Sequence, residues 1–146
     1  MITKPAERAA AMAAEIAKQR PDFVALHEAW KLTVEGVVVE DLLQYVLDAL
    51  KALDEPYELV GSVDEEDLNI TRPTFPINFH LTDRDAILMR AGGDIEIMPG
   101  GVQPTLFDKP IDIPLPPPFN QIKAGYNSVD ATVRGIPLRF VSVQSM

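Results

Sequence analysis

The spacing of hydrophobic residues changes period along this chain, and that change constrains the fold more than any other feature of the sequence. Ala6, Ala9, Ala10, Ala13, Ile16 and Ala17 fall on one helical face, and Glu7, Arg8, Glu15, Lys18 and Gln19 on the other. Thr3 and Pro5 suit the start of this helix, and Pro21 marks its end. A face made mostly of alanine lets a helix approach a sheet closely. Phe23, Val24, Ala25 and Leu26 follow as a short apolar run of the kind that forms a buried strand. A second helix is expected over residues 40–53, with Leu42, Leu43, Val46, Leu47, Leu50 and Leu53 as its stripe. Glu40 and Asp41 then sit in its first turn, where the helix dipole favours anions. Residues 57–63 read as a strand. Helix, strand, helix, strand is the rhythm of an α/β layer.

Residues 64–76 read as a loop that opens on four adjacent acids, Asp64, Glu65, Glu66 and Asp67. Calcium loops space their ligands around a glycine turn, so this run is a solvated loop instead. From residue 77 onward the pattern is β. Residues 86–90 and 95–98 are short strands flanking Gly92 and Gly93, which suit a hairpin turn. Residues 102–119 are proline-rich and end in Pro114, Pro116, Pro117 and Pro118, a rigid connection that also contains one P-x-x-P. Val129, Ala131 and Val133 alternate with Ser128, Asp130 and Thr132, as in a half-buried strand. Arg134 and Gly135 turn the chain into a last strand over residues 138–143.

The 146 residues fit one domain with a conventional core. There is no cysteine, which excludes disulfides, cysteine-based zinc sites and thiol catalysis. Thirteen Lys and Arg against 22 Asp and Glu give a net charge of −9. The basic residues are scattered, so a nucleic-acid partner is not favoured. No segment of the sequence is apolar for long enough to span a bilayer. The alanine-rich start is interrupted by Lys4, Glu7, Arg8, Glu15 and Lys18, which does not suit a signal peptide, and a cytoplasmic location is expected.

The densest constellation is Arg20-Pro21-Asp22-Phe23-Val24-Ala25-Leu26-His27-Glu28-Ala29-Trp30. A helix ends, a buried strand follows, and polar groups emerge at its C-terminal end, where open α/β sheets place ligands. Glu28 is suited to Mg²⁺, which accepts one or two carboxylates and keeps several waters. It is equally suited to be a surface carboxylate at the start of a loop. His80 reads as an ordinary strand or loop residue, Trp30 as a core or strand-end residue, and Asp83, Arg84 and Asp85 as an ion-paired hairpin rim. No Gly-x-Ser-x-Gly elbow is present.

The run RPDFVALHEAW resembles the first metal-ligand motif of the endonuclease/exonuclease/phosphatase superfamily, a Pro-Asp, a hydrophobic strand and a terminal Gln-Glu. The leucine-rich helix and PYELVG are similar to that family's next helix and strand. LTDRDAILMR resembles its following strand, and YNSVDATVRGIPLRFVSV the hairpin before its mid-chain His-Leu motif. The resemblance implies a Mg²⁺-dependent phosphodiesterase fold with Glu28 as metal ligand, and His27 in place of the usual Gln. It covers the N-terminal half of such a domain, residues 1–146, without its first strand. Gln144 falls about where the catalytic His belongs, and the later Asp-x-Asn and Asp-His motifs have no counterpart. The expected fold class is therefore α/β (α+β), a partial α/β sandwich with one mixed sheet covered by two helices on one face.

Two functions follow. One is an incomplete metal-dependent phosphoesterase or phosphodiesterase-like hydrolase, inactive alone, with phosphate-ester substrates if completed. The other is a non-catalytic binding or assembly module, a homodimer or one half of a pair with a complementary chain, because half a domain leaves a sheet edge without a partner.

Overall fold

In the computed structural model, which describes residues 4–72, 75–117 and 119–143, the first element is helix α1 (Pro5–Gln19). Thr3 lies outside the described residues. Pro5 occupies the first turn, where its missing N–H has no bond to lose. Arg20 closes the helix in a left-handed conformation, donating its N–H to the Ile16 carbonyl. Ala9, Ala13 and Ile16 are buried, but Ala6 and Ala10 are exposed, so the buried stripe is narrower than the alanine spacing predicts. Strand β1 (Phe23–Leu26) follows as expected.

Strands β2 (Lys31–Val34) and β3 (Val37–Asp41) form a hairpin that the sequence reading missed. Glu35 and Gly36 both take positive φ, 48° and 79°, which is the two-residue turn that matches strand twist. Val37, Val38 and Val39 are all exposed, so no alternation announced the strand. Helix α2 (Leu42–Ala52) therefore starts after Glu40, which belongs to β3 and not to a first helical turn. Asp41 caps the helix, its carboxylate accepting the Gln44 N–H at 3.1 Å.

Of the run expected as a loop over residues 64–76, residues 64–72 and 75–76 are strand, and 73 and 74 lie outside the described residues. β4 (Tyr57–Arg72) pairs along its length with β5 (Phe75–Arg90). Register shifts between Leu59 and Gly61, Asp64 and Glu66, and Thr71 and Arg72 absorb the mismatch between an acidic, turn-rich sequence and a continuous ladder. The other edge of β5 takes β2 at Phe79–Thr82 and β1 at Ala86–Met89. Every pairing is antiparallel, which corrects the expected mixed sheet: no helix here connects two neighbouring parallel strands.

Strand β6 (Ile95–Leu106) does not form a hairpin with β5 across Gly92 and Gly93. Both edges of β5 are already occupied, so β6 pairs elsewhere. Beyond it, β7 (Ile111–Asp112) and β8 (Gln121–Ile122) make a small ribbon on either side of the prolines at 114–118, of which Pro118 lies outside the described residues. Strands β9 (Gly125–Val133) and β10 (Ile136–Val143) form the expected hairpin around Arg134 and Gly135, at φ 49° and 79°. A three-stranded sheet runs in the order β10-β9-β6. Gln144, Ser145 and Met146 lie outside the described residues.

The two faces of β5 serve two cores. Ala86 and Leu88 pack with Ala9, Ala13, Leu43, Val46 and Leu50 from the helices. Ile87, on the opposite face of the pleat, packs with Val129 and Ala131 of β9, flanked by Phe23, Val102 and Phe140. Asp22 joins the two sheets: Arg90 donates to its carboxylate at 3.0 Å and Arg134, in the β9–β10 turn, at 2.7 Å. Among the described residues no helix is long and apolar enough to cross a membrane.

Candidate functional site

The register of β1 on β5 sets the geometry around Glu28. Leu26 lies opposite Ala86, so the next residue, His27, comes beside Asp85. His27 Nδ1 sits 2.6 Å from Asp85 Oδ2, and the Glu28 N–H donates to Asp85 Oδ1 at 3.2 Å. The Asp85 side chain is almost wholly buried, whereas the His27 imidazole is 38% exposed. Asn127 of β9 donates its amide to the Asp85 carbonyl at 2.8 Å. A buried carboxylate thus holds one ring nitrogen of a half-exposed histidine and fixes its orientation.

Glu28 takes a left-handed φ of 55°, a conformation held by the hydrogen bond from its own N–H to Asp85. Its side chain borders a cavity of about 200 Å³ that Glu65, Glu66 and Asp83 also line, with Ile122, Lys123 and Ala124 as the far wall. An adjoining groove of about 450 Å³ adds Trp30, Leu68 and Leu81. Glu65 and Glu66 come from the part of β4 expected as a solvated loop, and Asp83 comes from β5. Glu65 is 5% exposed and accepts the Gly125 N–H at 2.9 Å; Glu66 accepts the Lys123 N–H at 2.6 Å. The bulge between Asp64 and Glu66 is what aims both toward the segment leading into β9.

Burial, then repulsion from Asp85, pushes the Glu65 carboxyl above its ordinary range. Burial does the same for Asp83, reinforced by Glu28 and Asp85. Asp83, Arg84 and Asp85 are not the ion-paired rim expected from sequence. They lie in mid-strand, where Arg84 binds Asp41 at 2.5 Å and the Ala29 carbonyl at 3.0 Å. Trp30 packs against the helical core, as expected. His80 is an ordinary strand residue that pairs with Asp67. It lies five positions from Asp85 along β5, roughly 17 Å. The two histidines therefore do not share a site.

Among the described residues no three Asp, Glu or His side chains converge to enclose a metal ion. Glu28 and Asp83 line the same cavity, and one or two carboxylates are the protein donors that a largely hydrated Mg²⁺ takes. Comparisons with protein-family models, curated proteins and solved structures returned no match.

Proposed function

We propose that this chain is a binding or assembly module that joins protein chains through the free edge of β10. The observation that carries this reading is the uninterrupted register of β10 on β9, from Ile136 opposite Val133 to Val143 opposite Tyr126, beside an edge that no described strand covers. A long, regular, apolar edge is a template for another strand. Three other edges are interrupted. β3 is short and faces a register shift in β2. β4 carries three shifts and a run of acids, and β6 a shift between Ile97 and Val102 together with Pro104. Val141→Pro would remove an edge N–H and leave the ladder to β9 intact. Sedimentation equilibrium of the purified chain, alone and with chains that co-purify with it, tests the reading. Association lost in Val141→Pro is expected; association that the variant leaves unchanged would overturn it.

A second reading is favoured by the His27–Asp85 pair standing next to Glu28. In it, the chain is the incomplete half of a Mg²⁺-dependent phosphoesterase, its two sheets stacked as half of the family's sandwich. Glu28 would bind the ion through water and one carboxylate oxygen, and the ion would supply charge stabilisation to a phosphate ester. Mg²⁺ titration followed by NMR checks this. Saturable shifts centred on Glu28 and absent in Glu28→Ala are expected, and shifts spread over all surface acids would count against it.

A further inference from the structure

We infer that the partner of the β10 edge is a second copy of this chain, paired antiparallel about a two-fold axis at Val141; this rests on the assembly reading above. The turn decides which backbone groups face outward. In a two-residue hairpin the closing residues, Val133 and Ile136, exchange hydrogen bonds, so Leu138, Phe140 and Ser142 also point their backbone groups at β9. Pro137, Arg139, Val141 and Val143 point theirs outward. Pro137 agrees with this assignment, since a residue without an N–H belongs at an outward-facing position of an edge strand.

From Arg139 to Val143 the edge is complementary to itself. Antiparallel pairing about Val141 sets Val141 against its own symmetry mate and Arg139 against Val143 of the other copy, with reciprocal N–H to carbonyl bonds at each pair. Val141 and Val143 are each 51% exposed, and pairing would bring them onto one continuous apolar strip. The opposite face of β10 is already engaged, with Phe140 stacked on Phe23 at 5.2 Å. Charge does not oppose the contact, although each copy carries −9. The only ionised side chain on β10 is Arg139, and Asp130 of the same chain neutralises it through two bonds of 2.5 and 2.7 Å. Pro137, which has no N–H, disfavours registers that would place it within the new ladder.

The absence of native cysteine gives a direct test, because one introduced thiol has no internal partner. Across the proposed axis, the two Val141 Cα atoms would stand about 5.5 Å apart, within disulfide range. Under mild oxidation Val141→Cys should convert almost entirely to a covalent dimer, while Val37→Cys, on the exposed β3 edge, should not. In sedimentation equilibrium the native chain should dimerise, and Val141→Pro and Val141→Lys should both be monomers with circular dichroism unchanged. A native chain that stays monomeric to millimolar concentration, with no preferential cross-link at position 141, overturns the self-pairing. If that monomer still binds another protein chain and Val141→Pro abolishes the binding, the assembly reading stands and only the choice of partner fails. A dimer indifferent to both variants overturns the two together.

Discussion

Asp85 is where one residue governs the most local structure. It is buried at the crossing of β1, β5 and β9, and it holds His27 and the Glu28 backbone in place. Removing the imidazole leaves that carboxylate with a single N–H donor. Because His27 is half exposed, His27→Ala should cost about 2 kcal/mol, less than the loss of one partner of a fully buried pair. Urea denaturation checks this. Glu65 makes a different prediction. Its folded carboxyl holds its proton to higher pH than the unfolded one, so its penalty is absent below the ordinary pKa of 4.5, grows as pH rises from there toward the folded value, and is complete above it. Glu65→Gln keeps an acceptor for the Gly125 N–H and removes the charge. Its melting temperature should exceed the native one at about pH 8 and match it at about pH 4.

Among the elements, α2 and the β6 bulge depend most on single residues. Asp41 both caps α2 and receives Arg84, so Asp41→Ala removes a helix cap and leaves a half-buried guanidinium with only a carbonyl to bind. The cap alone contributes about 1 kcal/mol, and the measured loss should exceed it. Loss of helical signal on heating before the sheet signal changes would show that the effect belongs to α2. Gly101 lies within the register shift of β6 between Ile97 and Val102, where a Cβ would stand 2.7 Å from the Asp130 carbonyl oxygen and 2.8 Å from that of Met98. Both obstacles are backbone, so Gly101→Ala should separate β6 from β9 locally. Amide exchange at Val129 and Ala131 should then quicken, with α2 unaffected.

On the scale of the whole molecule, Asp22 ties the chain's beginning to its end. Hydrogen bonds from Arg134 and then Arg90 hold its carboxyl down, from 3.8 to about 2. A lowered pKa stabilises the fold above the ordinary value and is lost as pH falls toward the folded one, here over the window from 3.8 to about 2. Arg134→Ala should remove part of this window: the variant loses stability near neutral pH, and the difference from the native chain shrinks as pH falls through it. A series of thermal melts across that range measures both. Glu65 and Asp83 act in the opposite sense and at higher pH, their raised carboxyls adding a penalty as pH climbs above their ordinary values.

Much of this architecture is legible in the sequence because local chemistry decides it. The amphipathic spacing and Pro5 define α1, the leucine stripe defines α2, and Arg134 and Gly135 with the alternation before them define the β9–β10 hairpin. The short strand before Glu28 was legible for the same reason. The β2–β3 hairpin was not, because three exposed valines carry no period. The acids from Asp64 to Asp67 read as a loop because nothing local reveals that β5 stands opposite them. The pairing of His27 with Asp85, 58 positions later, depends on register between strands distant in the chain. Period, caps and turn residues are properties of neighbours along the chain, and the sequence determined those by itself. Which strand lies beside which, which acids share a cavity and which edge stays open are set by pairing between residues distant in the chain, which no local pattern encodes.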